Sequence, residues 1–397
     1  MAAAVTLAQA GVKVTVLESG LVPGGRARRV RSEGQELDNG QHILVGAYGE
    51  LLRLMRLAGV PQDAVLRLPL ELRYADGFAL RALWLPAPLG LLGGLAFAGK
   101  LSWSERVGAI RFMLTLRKRK FVLDRDSTVS ALLDEHRQNG RIGHYLWRPL
   151  CVSALNTLPE QASARVFATA LRDSLAGEAG ASDLLLPRVD LSKLFPEPAA
   201  EFVRSNGGEV RTETLVRDLD PLRSEYARVI LAVGPHQLKP FADVLGDVPE
   251  FDYQPIYTCY LQYPETVKLP FPMLGLAEGL VQWAFDRGAL TGEKGRIACV
   301  ISAQGDHQQM TQDELAATCH RELARALRHL PEPRWSRVIG EKRATVACTP
   351  NRPRIGPETR VPGLLLAGDY TDAEYPPTLE AAVRSGVRAA RLALGTQ

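Results

Sequence analysis

Residues 2–18 read AAAVTLAQAGVKVTVLE, and this stretch decides the fold. Ala2 to Ala10 is a run of small residues that suits a helix, and Gly11 stands at the left-handed position where helices commonly stop. Val12, Val14 and Val16 then alternate with Lys13 and Thr15 into Leu17, the period of a short strand, and Glu18 closes it. Helix, tight turn, strand and terminal acid form the second half of a dinucleotide-binding βαβ unit, where the acid accepts hydrogen bonds from ribose hydroxyls. Its first half, a strand of about 5–6 residues and a G-x-G-x-x-G loop, belongs before Ala2, where the sequence has Met1. The pattern predicts an α/β, doubly wound, Rossmann-like domain that lacks its opening strand.

Outward from there, residues 50–200 are mostly helical in pattern, with Leu51, Leu54 and Met55 on one face. Strand character returns at Gly207–Val210 and Arg228–Gly234, and residues 251–303 read as a sheet with Tyr257–Leu261 and Ile297–Ile301 as its clearest strands. Asp313–Leu330 is an amphipathic helix, and the chain ends as strand (Leu364–Ala367), loop and helix (Thr378–Leu394). This order predicts a nucleotide-binding domain in three pieces, 1–50, 200–240 and 345–397. Residues 51–199 and 241–344 would form an inserted substrate domain of sheet plus helices.

Bulk composition excludes several classes. A net charge of +4 on 397 residues, with Arg117-Lys118-Arg119-Lys120 the densest basic run, lacks the basic stripe of a nucleic-acid binder. That run reads as a solvated helix end or as a contact for anionic lipid. The five cysteines contain no C-x-x-C pair, so neither a disulfide framework nor a metal site is expected, and a reducing cytoplasm fits best. The apolar run Trp84–Ala98 is shorter than the ~20 residues of a spanning helix. It reads equally as a membrane-facing tunnel mouth or as a buried helix pair.

Three clusters carry chemistry. Gly24 and Gly25 let backbone approach a phosphate closely, and Arg26 can fork onto it. Asp38-Asn39-Gly40-Gln41-His42 suits the edge of a planar ring system, and Asn39-Gly40 is equally a turn between two strands. Within it His42 is the first candidate proton donor. Gly368-Asp369 closes an apolar strand and feeds a helix beginning near Thr378 and Leu379, whose free N–H groups favour anionic atoms. No G-x-S-x-G, H-E-x-x-H or P-loop is present, so a bound cofactor must bring the chemistry.

Taken together, these motifs resemble the flavin-containing amine-oxidase superfamily, which includes phytoene desaturases and protoporphyrinogen oxidases. The finer resemblance is to the hydroxysqualene dehydroxylases, the squalene-associated FAD-dependent desaturases of hopanoid biosynthesis. It is carried by Gly24–Gly46, Leu146–Phe167 (LWRPLCVSALNTLPEQASARVF), Ser182–Phe195 (SDLLLPRVDLSKLF), Gln282–Gly288 (QWAFDRG) and Gly368–Gly386. The resemblance implies FAD as cofactor. Glu18 would take the adenosine ribose, Gly24, Gly25 and Arg26 the pyrophosphate, and backbone at Val216 the adenine. Gly368 and Asp369 would take the ribityl-phosphate region, and Gly40, Gln41 and His42 the edge of the flavin.

It further implies removal of the hydroxyl of hydroxysqualene, with His42 or Asp38 as proton donor. The protein would sit in the cytoplasm, peripheral on the inner face of the plasma membrane and beside other squalene-pathway enzymes. The competing expectations are a desaturase or amine oxidase on another apolar substrate, and a non-catalytic remnant that binds isoprenoid or a partner enzyme. Tyr370, Ala373-Glu374 and Ala381 depart from the family's usual Trp, Thr-Gly and Gly. Without a glycine loop, two or three charge-assisted donors at about 1.5–3 kcal/mol each are lost. FAD affinity of the chain as written is then expected to fall by roughly two to six orders of magnitude, the natural start lying upstream.

Overall fold

A computed structural model describes residues 1–395 apart from Trp84, residues 86–88, Ala176 and Arg354. The small residues at the start form the helix Ala2–Gln9, which crosses the C-terminal helix Leu379–Leu394. Small side chains set how close the two lie. A Cβ added at Gly386 would stand 3.0 Å from that of Ala2.

Two short parallel ladders lie where the sequence predicts the nucleotide-binding pieces. Thr15–Leu17 pairs with Glu209–Arg211, and Val229–Leu231 pairs with Leu364–Leu366. Segments near positions 16 and 210, and near 230 and 365, therefore become neighbours. Among the described residues no strand joins the two ladders, and one large cavity borders both.

The middle of the chain is less helical than its pattern predicts. Val65–Leu68 and Leu184–Pro187 pair antiparallel, and Glu71–Arg73 forms a hairpin with Ala79–Arg81. Short apolar runs such as Leu184-Leu185-Leu186 do not distinguish a buried strand from a helix by periodicity; the distant partner at 65–68 decides. The segments flanking this sheet also join the nucleotide-binding side. Leu51, Leu54 and Leu191, which the sequence reading assigns to the inserted domain, pack in one core with Val5, Val203, Val383 and Val387.

The other layer is a five-stranded antiparallel sheet in the order Met273–Gly275, Trp283–Asp286, Arg296–Ser302, Tyr253–Gln262, Trp335–Val346. Alternation sorts its side chains. Cys259 and Leu261 face Leu315, Cys319 and Leu323 of the helix Gln312–Ala326, whereas Tyr260 faces the largest core with Trp283 and Phe285. One face of this sheet is thus sealed by a helix, leaving the other to shape the cavity.

Of the apolar run at 84–98, Trp84 and residues 86–88 lie outside the described residues. Of the rest, Leu89–Phe97 forms a helix. A Cβ on Gly94 would stand 2.4 Å from the Arg81 carbonyl oxygen, so glycine lets this helix lie directly on the preceding strand. No described helix is long and apolar enough to cross a membrane.

Candidate active site

The strand Thr15–Leu17 delivers Glu18 to the cavity, where a turn fixes its carboxylate. Its Oε1 accepts the Gly20 N–H at 2.7 Å, and the Thr214 N–H donates to the Glu18 carbonyl at 2.8 Å. Val216, the expected adenine contact and two residues on from Thr214, also borders the cavity.

Gly24 and Gly25 have φ of +126° and +59°, conformations that side chains resist. A Cβ on Gly24 would also lie 2.6 Å from the Ala27 carbonyl oxygen and 2.9 Å from Pro196. The cradle is open because it is glycine. Beside it Arg26 forms an ion pair with Asp369, Nη2 to Oδ1 at 2.8 Å, and donates from Nη1 to the Ala344 carbonyl at 2.6 Å. Asp369 raises the arginine's pKa further, so the guanidinium stays charged. The first and third sequence clusters, 343 residues apart, thus meet on one wall.

Gly368 donates its N–H to Ser385 Oγ at 2.8 Å, and a Cβ there would run into the Tyr370 ring. Tyr370 is buried, and its hydroxyl has no partner among the described residues. Thr378 caps the C-terminal helix, accepting the N–H of the buried Ala381 at 3.2 Å, and presents that helix start, with Leu379, to the cavity.

A buried knot locks the turn at 38–42. Arg287, 4% exposed, donates from Nη1 to Gln41 Oε1 at 3.0 Å and to Asp38 Oδ2 at 3.2 Å, and from Nε to Glu293 at 2.8 Å. Leu191 N–H donates to Asp38 Oδ1 at 2.8 Å, and Gln41 N–H to Thr258 Oγ1 at 3.2 Å. Burial pushes the Asp38 carboxyl up to about 6 despite Arg287. Gly40, Gln41 and His42 border the cavity; Asp38 stands behind them, outside the lining. The structure therefore gives Asp38 a supporting place, with its oxygens engaged by protein groups.

His42 Nδ1 lies 2.8 Å from the Gly40 carbonyl oxygen. A carbonyl has no proton to give, so Nδ1 carries the hydrogen and Nε2 of the neutral ring is an acceptor. Burial lowers the imidazole pKa and favours that neutral ring. Proton donation then requires the imidazolium, which the site disfavours. Sequence reasoning could not see this.

Beyond the turn the lining becomes apolar: Ile43, Leu72, Leu150, Met273, Trp283 and Phe285. Trp283 is oriented by its Nε1–H to Ser153 Oγ at 3.1 Å. Asn156, left-handed at φ +47°, donates to Thr345 Oγ1 at 3.0 Å and accepts the Ala303 N–H at 2.8 Å, tying this wall to the five-stranded sheet. Neither Arg287 nor Asn156 was singled out from sequence. Their signal was membership of the stretches 282–288 and 146–167.

The whole cavity holds about 2250 Å³, beyond the roughly 300–1000 Å³ of a single small-molecule pocket. Glu18, the glycine cradle, the start of the C-terminal helix and an apolar wall all border it. That combination, in a cavity of this size, fits a flavin dinucleotide together with an apolar substrate.

Fold and site define a dinucleotide-cofactor oxidoreductase. Residues 1–394 match the flavin containing amine oxidoreductase family, and the chain belongs to it, as an FAD-dependent oxidoreductase. Among curated proteins it is 28% identical over 422 residues to a hydroxysqualene dehydroxylase of Rhodopseudomonas palustris, covering 99% of this chain and 96% of that one. It is also 28% identical over 415 residues to one of Sinorhizobium fredii, covering 99% and 95%. Among solved structures, an oxidoreductase from Methanosarcina mazei superposes with a TM-score of 0.70 at 15% identity, over 98% of this chain and 97% of that one. This last likeness speaks for the fold alone.

Proposed function

We propose that the protein removes the hydroxyl of hydroxysqualene reductively and releases squalene for hopanoid biosynthesis. The observation that carries this reading is the continuity of one cavity from the glycine cradle, past His42, to the apolar wall of Leu72, Leu150, Trp283 and Phe285. A long isoprenoid gains about 25 cal/mol per Å² of apolar surface it buries there. Near full-length similarity to the hydroxysqualene dehydroxylases supports the choice of substrate.

Glu18, the Gly24-Gly25 cradle, Arg26, Val216, Gly368, Asp369, Thr378 and Leu379 would hold the dinucleotide, and Gly40, Gln41 and His42 its ring end. Bound FAD, once reduced, supplies the hydride that replaces the lost hydroxyl. The protein's part is to exclude water with the apolar wall and to move a proton at His42 Nε2. In the imidazolium form that nitrogen gives a proton to the leaving oxygen; in the neutral form it accepts the substrate's O–H. Arg287 and Asp38 act through the turn, by fixing Gln41 and the backbone that carries His42.

Anaerobic turnover of FAD-loaded protein with a chemical reductant tests the reading. Hydroxysqualene should be converted to squalene, whereas phytoene-like polyenes and amines should be left unchanged under oxidising conditions. Oxidation of a polyene or an amine with hydroxysqualene untouched would replace it by the desaturase or amine-oxidase reading.

A further inference from the structure

The helix Trp103–Lys118 has two apolar faces. Ala109, Phe112, Met113 and Leu116 are buried in the largest core. Trp103, Val107 and Leu114 fall within about 40° of one another on the opposite side, at 100° per residue, and all three are exposed. An ordinary surface helix is polar there.

The neighbouring helix extends the patch. Gly90 and Gly94 press the helix Leu89–Phe97 onto the chain at 81–83. Leu85, Leu89 and Phe97 are left exposed. Phe97 and Trp103 are 78% and 70% exposed, the extreme values for such large rings. They belong to one surface. Arg106 donates to the Ala96 carbonyl at 2.9 Å, next to Phe97, while its guanidinium carbon lies 5.6 Å from the Trp103 ring centre.

Charge decides what this surface meets. Arg111, Arg117, Lys118, Arg119 and Lys120 are exposed on the same helix and its end, and among the described residues none of them has an ion-pair partner. A second copy of the chain would set these cations against their own kind. A nucleic acid would leave the leucines in water. An anionic bilayer satisfies both features, since headgroups attract the cations and the acyl boundary takes Phe97, Trp103 and Leu114. The same surface is linked to the cavity: the Ala82 N–H donates at 2.9 Å to the carbonyl of Leu70, a lining residue, one residue before the exposed Leu83.

We propose that the outward face of the helices Leu89–Phe97 and Trp103–Lys118 docks on the headgroup region of an anionic lipid bilayer. The inference goes beyond the substrate assignment and does not need it, because it is read by binding rather than turnover.

The test is co-sedimentation of the full chain with vesicles of phosphatidylcholine, alone or mixed with phosphatidylglycerol, at low and high salt. Binding should require phosphatidylglycerol and weaken with salt. Two variants at exposed positions, W103S/L114S and R117E/K118E, should each lower the partition coefficient about tenfold or more while thermal midpoint and flavin content stay as in the unaltered protein. Sedimentation velocity on the same samples should show no self-association that W103S/L114S abolishes. Protein that stays in solution with every vesicle, variants that bind like the parent, or a dimer lost in W103S/L114S would each overturn the proposal.

Discussion

Arg287 holds Asp38 and Gln41 together inside the protein while Glu293 takes its Nε. Removing it leaves the Asp38 carboxyl, 2% exposed, without its cation. Arg287→Met is expected to cost about 3–5 kcal/mol at neutral pH, the usual cost of breaking a buried pair. The sign with pH follows from the carboxyl. Its folded pKa, raised to about 6, lies above the unfolded value of 3.8, so its contribution is present below about 4 and is lost as pH rises through about 6. Denaturant unfolding should therefore show the Arg287→Met deficit shrinking as pH falls to about 4, where the carboxyl is protonated without a partner. A deficit that does not vary with pH would mean lost packing, not lost charge.

At the same scale, His42 sets a pH dependence of turnover. Because burial lowers its pKa, the proton-giving form grows only as pH falls below the ordinary imidazole range. The rate of hydroxysqualene loss should rise with acidity, and His42→Ala should abolish that rise and lower kcat per bound FAD by roughly 10²–10⁴-fold. An identical pH profile in the variant would assign the proton to another group. The residue types at this site were legible in the sequence, but their protonation was not. The Gly40 carbonyl that fixes the His42 tautomer has no sequence signature.

Between elements, the clearest device is Glu380 in the first turn of the C-terminal helix. It is fully buried and accepts the N–H groups of Glu50 and Leu51 at 3.1 and 2.9 Å, starting the helix Gly49–Leu57 whose own cap residue Tyr48 makes no side-chain cap bond. Arg384 compensates its charge at 3.0 Å, and burial nevertheless raises its pKa. Glu380→Ala strands one buried donor at Leu51 and one half-buried donor at Glu50 and should cost roughly 1–3 kcal/mol in denaturant unfolding, with Glu380→Gln losing less. A change below about 0.5 kcal/mol, within the range of an ordinary surface substitution, would dismiss this bridge. From the sequence Glu380 is only an acid in a first helical turn. Its partner helix lies some 330 residues away. Element types near the termini were legible because Gly11, Thr378 and the alternating valines are local signals. The middle was misread toward helix because its short strands exist only by pairing with distant ones.

For the whole molecule, the order of pieces along the chain predicts a discontinuous nucleotide-binding domain; the structure pairs Thr15–Leu17 with Glu209–Arg211 and Val229–Leu231 with Leu364–Leu366. The sequence by itself determined the fold class and the flavin-dependent family, because glycine at a strained turn, an acid at a strand end and a cap at a helix start act through their immediate neighbours. Only the tertiary structure decided that Arg26 meets Asp369, that Asp38 stands behind the cavity wall, that Arg287 locks His42's turn, and that one helix keeps an apolar face outside. Those are consequences of burial and of contacts between residues far apart in the chain, and both come into being only when the layers close on one another.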